Sequence, residues 1–131
     1  MRGEFKLLKS APGIGDTLAT TIMLEMGTAA RFAKVGNFSS YCRCVDSLRE
    51  SNDKKKGKGN AKNGNKYLAW AFVEAANFAR RYCPQAKSFY ERKKRKSNGV
   101  LATKALAHKL ARACYHMLRE QKPFDVSRCF G

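Results

Sequence analysis

Leu7-Leu8-Lys9-Ser10-Ala11-Pro12-Gly13-Ile14-Gly15-Asp16-Thr17-Leu18-Ala19-Thr20-Thr21-Ile22 joins two apolar, helix-compatible runs through a Pro-Gly-Ile-Gly turn. Gly13 and Gly15 can both take positive φ without a Cβ clash, and Pro12 fixes the approach to the turn. The stretch predicts a helix-hairpin-helix within residues 4–38. Ile14 is expected to turn inward and pin the hairpin, Ala19 to let the helices approach closely, and Asp16 or Thr17 to cap the second helix. Such a hairpin is suited to anion binding, because the free N–H groups at the start of its second helix point outward with the positive end of the helix dipole behind them. A nucleic-acid phosphate fits, which makes Pro12, Gly13, Ile14 and Gly15 candidate contacts. The competing reading is a glycine turn between two core helices. The apolar flanks, Pro12 before the first glycine and Ala19 four residues after the second favour the phosphate.

Charge points the same way. The 131 residues carry 27 Lys and Arg against 10 Asp and Glu, a formal net charge of +17. A compact domain with that much self-repulsion normally meets a polyanion, and nucleic acid is the default partner. An anionic membrane competes poorly, because the basic runs lie in Gly- and Asn-rich stretches rather than along one face of an amphipathic helix. No apolar run approaches the roughly 20 residues of a spanning helix, and Met1-Arg2-Gly3-Glu4 lacks the apolar core of a signal peptide, so an intracellular protein is expected. The five cysteines, Cys42, Cys44, Cys83, Cys114 and Cys129, show no paired Cys-x-x-Cys spacing and read as reduced, mostly core thiols.

Downstream of the hairpin, Leu18, Ile22, Met23 and Met26 share a helix face that Gly27 ends. A short helix is expected over 28–33 with Phe32 as a core anchor, then a break at Gly36-Asn37. Ser39 or Ser40 is expected to open a further short helix. Residues 46–66 then lose nearly every large apolar side chain and alternate Lys54, Lys55, Lys56, Lys58, Lys62 and Lys66 with glycines and asparagines, which predicts a loop. From Tyr67 onward a helical part is expected to about residue 120. Leu68, Phe72, Ala75, Ala76 and Ala79 recur at helical spacing, Trp70, Val73 and Phe78 thicken the apolar surface, and Pro84 is the stop. A second basic cluster follows at Arg92-Lys93-Lys94-Arg95-Lys96, with a turn at Ser97-Asn98-Gly99. The last strong helix, from about Leu101 to Arg119, turns Leu106, Leu110, Ala113, Met117 and Leu118 inward before Pro123, and Phe124 and Phe130 are expected to tuck back. No segment alternates with period two for long enough to demand a sheet, so the fold class is all-α and the chain one domain, 1–131.

Catalysis by paired carboxylates has little support. The acids are scattered, Glu74 alone lies within a strong apolar helix, and a solvent-facing position explains it as well as a general base does. His108 and His116 stand two helical turns apart, poorly placed as joint metal ligands. The basic loop is more informative. Lysines spaced by glycine can follow a phosphate backbone, asparagine side chains can bond sugars or base edges, and Ser51 places a hydroxyl just upstream of the positive cluster. Once activated, such a hydroxyl can attack a phosphodiester held in line by the lysines. A solvated linker is the plain alternative.

Leu8-Lys9-Ser10-Ala11-Pro12-Gly13-Ile14-Gly15, Arg31-Phe32, Phe38-Ser39-Ser40-Tyr41, Ser51 ahead of Lys54, Lys62-Asn63-Gly64-Asn65-Lys66-Tyr67-Leu68 and a final Ala- and Leu-rich helix follow in an order that resembles the C-terminal domain of transposases of the insertion sequence 110/1111 family. The resemblance implies a DNA recombinase in which this domain supplies a nucleophilic serine. It further implies an N-terminal resolvase-like domain whose acidic residues bind Mg2+, and a structured guide RNA encoded by the mobile element. Ser51 matches the family's serine, and Lys54, Lys62 and Asn65 its basic follow-on. The family usually has Gly after the serine. Here Asn52-Asp53 follows, placing a carboxylate that repels phosphate. The implied partners are DNA and the guide RNA, with no membrane, no cofactor in this chain itself, and oligomerisation only in the full-length enzyme. The implied location is bacterial cytoplasm, nucleoid-associated on DNA. With Met1 just ahead of the hairpin, the chain is expected to be a fragment or the remnant of a broken reading frame, unable to cut DNA alone. A non-catalytic helix-hairpin-helix module, with Ser51 an ordinary loop residue, is the alternative; a structured-RNA binder is suggested only by size and charge.

Overall fold

The computed structural model describes residues 2–43 and 64–131, so the expectations for Cys44, Ser51, Lys54, Lys55, Lys56, Lys58 and Lys62 lie outside the described residues. The described residues are all-α. Helix α1, Arg2–Lys9, and helix α2, Asp16–Met26, are joined by a turn whose apolar side chains face inward. Leu8, Ala11, Ile14, Leu18, Ala19 and Ile22 are all buried, as the apolar spacing around the turn requires. Ile14 and Ala19 take the expected inward places.

Gly13 sits at φ +84°, and a Cβ added there would run into the carbonyl of Ala75 and lie 2.9 Å from the amide nitrogen of Ala79. The turn is therefore laid directly on the backbone of α4, Lys66–Tyr82, at a spacing only glycine permits. Gly15 differs from expectation. Its φ is −100°, an ordinary extended value, and open space surrounds its missing side chain. The expected cap is also corrected: Gly15 is itself the N-cap of α2, with no side-chain cap bond, because the Asp16 carboxylate is drawn aside to the Lys9 ammonium, 2.6 Å away.

Gly27 ends α2 at φ +76°, and the Thr28 hydroxyl accepts from the Ala30 N–H at 3.0 Å to start a single 3-10 turn, Ala29–Arg31. Helix α3, Val35–Tyr41, then runs through Gly36-Asn37 in place of the expected break, and contains Ser39 and Ser40 rather than starting at either. Phe38 and Cys42, one turn apart, are fully buried, and packing of that face against α6, Gly99–Glu120, outweighs the low helix propensity of Gly and Asn.

Asn65 caps α4, its Oδ1 accepting from the N–H groups of Tyr67 and Leu68, both at 2.9 Å. Pro84 ends α4 as expected, but it also begins α5, Pro84–Lys96, at the first-turn position where a missing N–H costs nothing. Periodicity does not reveal that helix, because its inward residues, Ala86, Phe89 and Tyr90, are few and set among charges. Gln121, at φ +57°, closes α6 ahead of Pro123, and α7, Val126–Phe130, ends the chain.

Helix α6 packs against α1, α3, α4, α5 and α7. The buried faces of α4 and α6 are rich in alanine, with Ala71, Ala75, Ala76 and Ala79 on one and Ala102, Ala107 and Ala111 on the other, and such small side chains let helices pack close. Phe38 fills the junction, edge-on to Phe72 at 6.1 Å and stacked on Tyr115 at 6.0 Å. The Tyr115 hydroxyl donates to the Phe32 carbonyl at 2.6 Å and Arg119 donates to the same oxygen at 3.0 Å, which fixes the 3-10 turn to α6. Phe124 and Phe130 do tuck against the core, and the Phe124 N–H donates to Ser10 Oγ at 2.8 Å. Cys42 and Cys114 are buried and Cys83 and Cys129 half-buried, and Cys83, Cys114 and Cys129 are free thiols. Burial pushes the Cys114 thiol far above its ordinary range and that of Cys129 up to about 11, so neither is a reactive thiolate.

Two glycines in one turn thus have opposite sensitivities. Gly13→Ala, strained in φ and driven into backbone, is expected to lower unfolding free energy by more than about 2 kcal/mol. Gly15→Ala, with free space and an ordinary φ, is expected to cost less than about 1 kcal/mol. Urea denaturation of both variants measures the difference, and equal costs would contradict the seating of the turn on α4.

Candidate nucleic-acid interface

Four features of the chain bear on a polyanion. The first is the start of α2. The first amide to bond inside the helix is that of Ala19, which donates to the Gly15 carbonyl at 2.9 Å, so the N–H groups of Asp16, Thr17 and Leu18 precede the ladder. Gly15, Asp16 and Thr17 are exposed, while Pro12 and Gly13 are half-buried and Ile14 is buried. Of the four hairpin residues, only Gly15 presents an open surface. Gly13 and Ile14 hold the turn in place. Lys9 adds a cation beside the same helix end and neutralises Asp16.

The second is the exit and return of the chain around residues 44–63. The Asn65 N–H donates to the Tyr41 carbonyl at 2.6 Å, and its Nδ2 donates to Glu25 Oε1 at 2.8 Å and to the Tyr41 hydroxyl at 3.3 Å. The side chain of Arg43 lies against Gly64. Both ends of the lysine-rich stretch are therefore clasped together at the N-terminus of α4, against α2 and α3. Asn65, read from the sequence as a nucleic-acid contact, has its whole amide committed to this clasp. Lys66 beside it is exposed, its ammonium 5.4 Å from the Tyr67 ring centroid.

The third is the C-terminal end of α5. Arg92, Lys93, Lys94, Arg95 and Lys96 are all exposed, and the last four occupy the final turn, where cations complement the helix dipole. The Arg92 guanidinium and the Lys93 ammonium lie over Phe89 and the Lys94 ammonium over Tyr90, so the aromatic floor of the core supports the charged rim. Between described residues two ion pairs form, Lys9 with Asp16 and Arg128 with Glu120.

The fourth is a cleft of about 270 Å³ between α6 and α7, walled by Arg112, His116, Lys122, Phe124 and the Glu120–Arg128 pair. Burial, helped by Arg112 and Lys109, lowers the pKa of His108; burial, helped by Arg128 and Arg112, lowers that of His116. In both cases the unfolded chain takes up protons first, so stability is greatest above the ordinary histidine range and falls as pH drops through it. The two rings sit apart, and among the described residues no three His, Cys, Asp or Glu side chains converge as a metal site. Glu74 is half-buried on α4, and no described helix is long and apolar enough to cross a membrane.

One feature runs against the sequence reading. Tyr67, Trp70, Phe78 and Tyr82 of α4 are exposed, although apolar character alone places Trp70 and Phe78 on the packed surface of the helix. Their spacing carries the correction: Leu68, Ala71, Phe72, Ala75, Ala76 and Ala79 already complete a buried face, position 70 falls opposite it and positions 67 and 78 fall on its flank.

No curated protein matches the chain closely enough to serve as a relative. The model of the transposase IS116/IS110/IS902 family matches residues 5–91, a span that takes in the seated turn, the lysine-rich stretch, the Asn65 clasp and the whole of α4, and ends one residue before the basic cluster of α5. Because that match covers two thirds of the sequence, the chain belongs to the IS116/IS110/IS902 family of transposases.

Proposed function

We propose that the chain acts in DNA transposition and recombination as the DNA-binding domain of a transposase and supplies the serine nucleophile for strand cleavage and exchange. The observation that carries this reading is the single family match, which spans the hairpin, Ser51 and α4 together. The open N-terminus of α2, a helix-hairpin-helix in function, takes one backbone phosphate. The lysines at 54, 55, 56, 58, 62 and 66 and the cluster at 92–96 supply further phosphate contacts, which set affinity and orientation without reading sequence. The Asn65 clasp supports the reading by tethering both ends of the Ser51-bearing stretch to one point on the scaffold.

In the strand-cleavage step, Ser51 Oγ forms a bond to phosphorus while the bond from phosphorus to the leaving sugar oxygen breaks. The serine proton passes to a base, and the leaving oxygen gains a proton in turn. Lysine cations around the phosphate stabilise the charge that develops on its oxygens. A resolvase-like domain binding Mg2+ and a guide RNA belong to the same proposal and rest on the family resemblance. The alternative, a binding module without chemistry, differs only in Ser51.

Two measurements test it. In the complete transposase, Ser51→Ala is expected to abolish a covalent protein–DNA adduct while binding survives; an adduct that persists contradicts the nucleophile. For the hairpin, Gly15→Asp adds a good helix cap and a negative charge at the phosphate position, so stability should hold. Duplex affinity should fall about tenfold, with the slope of log affinity against log salt shallower by about 0.9 for one lost phosphate. Unchanged affinity and slope would remove the α2 terminus from the interface.

A further inference from the structure

We infer that the exposed aromatic face of α4 is a stacking platform for the unpaired bases of a single nucleic-acid strand. This deepens the nucleic-acid reading above and rests on it. Tyr67, Trp70 and Phe78 are 54%, 49% and 39% exposed and share one side of α4, with Trp70 opposite the buried alanine face and Tyr67 and Phe78 on the flank of that face. At 1.5 Å per residue, Tyr67 and Phe78 stand about 17 Å apart along the axis, the length of about five nucleotides stacked at 3.4 Å. Each of these residues keeps between 39% and 54% of its surface open to water, and Trp70 is the sole tryptophan in the chain.

The chemistry beside the rings selects the occupant. Lys66 holds its ammonium over Tyr67, and the Arg81 guanidinium lies 6.0 Å from the centroid of Phe78. A ring with a neighbouring cation offers a face for a base and a charge for its phosphate, the pairing that single-strand binders use. Glu74 is the one carboxylate on this face, and it is half-buried. An aliphatic partner surface would meet the cations as a desolvation cost, whereas a nucleic-acid strand uses them. Duplex DNA, with its bases stacked inside, can reach the cations but not the rings, which separates this face from the hairpin and the lysine-rich stretch. Strand cleavage and exchange produce unpaired segments, and the platform would hold one beside the point where the Ser51-bearing stretch returns to the scaffold at Gly64.

Because Trp70 is unique, its emission reports this face directly. Titration of the whole chain with single-stranded oligothymidylate should quench Trp70, and a duplex of equal length should leave it nearly unchanged. Stacking is worth about 1–3 kcal/mol per base, so Trp70→Ala should weaken single-strand binding by about 5- to 150-fold, Trp70→Ala with Phe78→Ala should weaken it further, and both should leave duplex affinity and its salt slope within about twofold. Trp70→Phe should retain most of the affinity. Both side chains are exposed, and circular dichroism checks that the fold persists. Duplex binding with a steep salt slope but Trp70 emission indifferent to the single strand would overturn this inference and leave the DNA-binding reading standing. Absence of binding to either nucleic acid would overturn both. Emission that changes with protein concentration alone, together with dimers that disperse on Trp70→Ala, would make the face a contact between copies of the chain and would also overturn the platform.

Discussion

The architecture depends on a close backbone approach. The turn between α1 and α2 meets α4 at Gly13, where the Ala75 carbonyl and the Ala79 amide leave no room for a Cβ. Seating the turn there brings Ile14 into the core and orients α2 along α4, and α4 in turn packs on α6 through alanines that allow the same close approach. Any larger residue at Gly13 would have to push the turn off α4 and open the alanine-lined interface behind it. The same constraint gives the two glycines different roles, since Gly13 holds the fold while Gly15, exposed and unstrained, faces outward.

Around that seat, polar bonds tie neighbouring elements together. The Phe32 carbonyl receives Tyr115 and Arg119 from α6, Arg31 donates back to the Met26 carbonyl at 2.9 Å, and Asn65 joins α2, α3 and α4. Each partner is close to where the chain changes direction. The consequence for function is positional, since the stretch that carries Ser51 leaves and rejoins the scaffold at one clasped point, beside the start of the aromatic face of α4.

Much of this is legible in the sequence. The Pro-Gly-Ile-Gly turn, the inward Ile14 and Ala19, the buried face of α4 and the stop at Pro84 all follow from apolar spacing and turn chemistry, and the order of motifs points to the family. What is not legible depends on tertiary contact. Nothing local distinguishes Gly13 from Gly15, because the difference lies in a helix some sixty residues later. Helix α3 forms through Gly36-Asn37 because Phe38 has a core to enter, and α5 forms because Phe89 and Tyr90 anchor an otherwise charged segment. Asn65 reads as a loop contact and serves as a cap and clasp, since a short amide cannot reveal its partners from sequence. Trp70 and Phe78 read as core for the converse reason: apolar character is visible in sequence, but the side of the helix left over once the core is full is not.

The most direct test is where phosphate meets the backbone. Amide chemical shifts of the chain can be followed while a short DNA duplex is added. Phosphate seated on the hairpin predicts that the N–H resonances of Gly15, Asp16 and Thr17 move together and saturably, and that those of buried α6 residues such as Leu106 and Leu110 stay fixed. Shifts confined to the lysine side chains, with the α2 amides unmoved, would contradict that seat and reduce the hairpin to a structural turn.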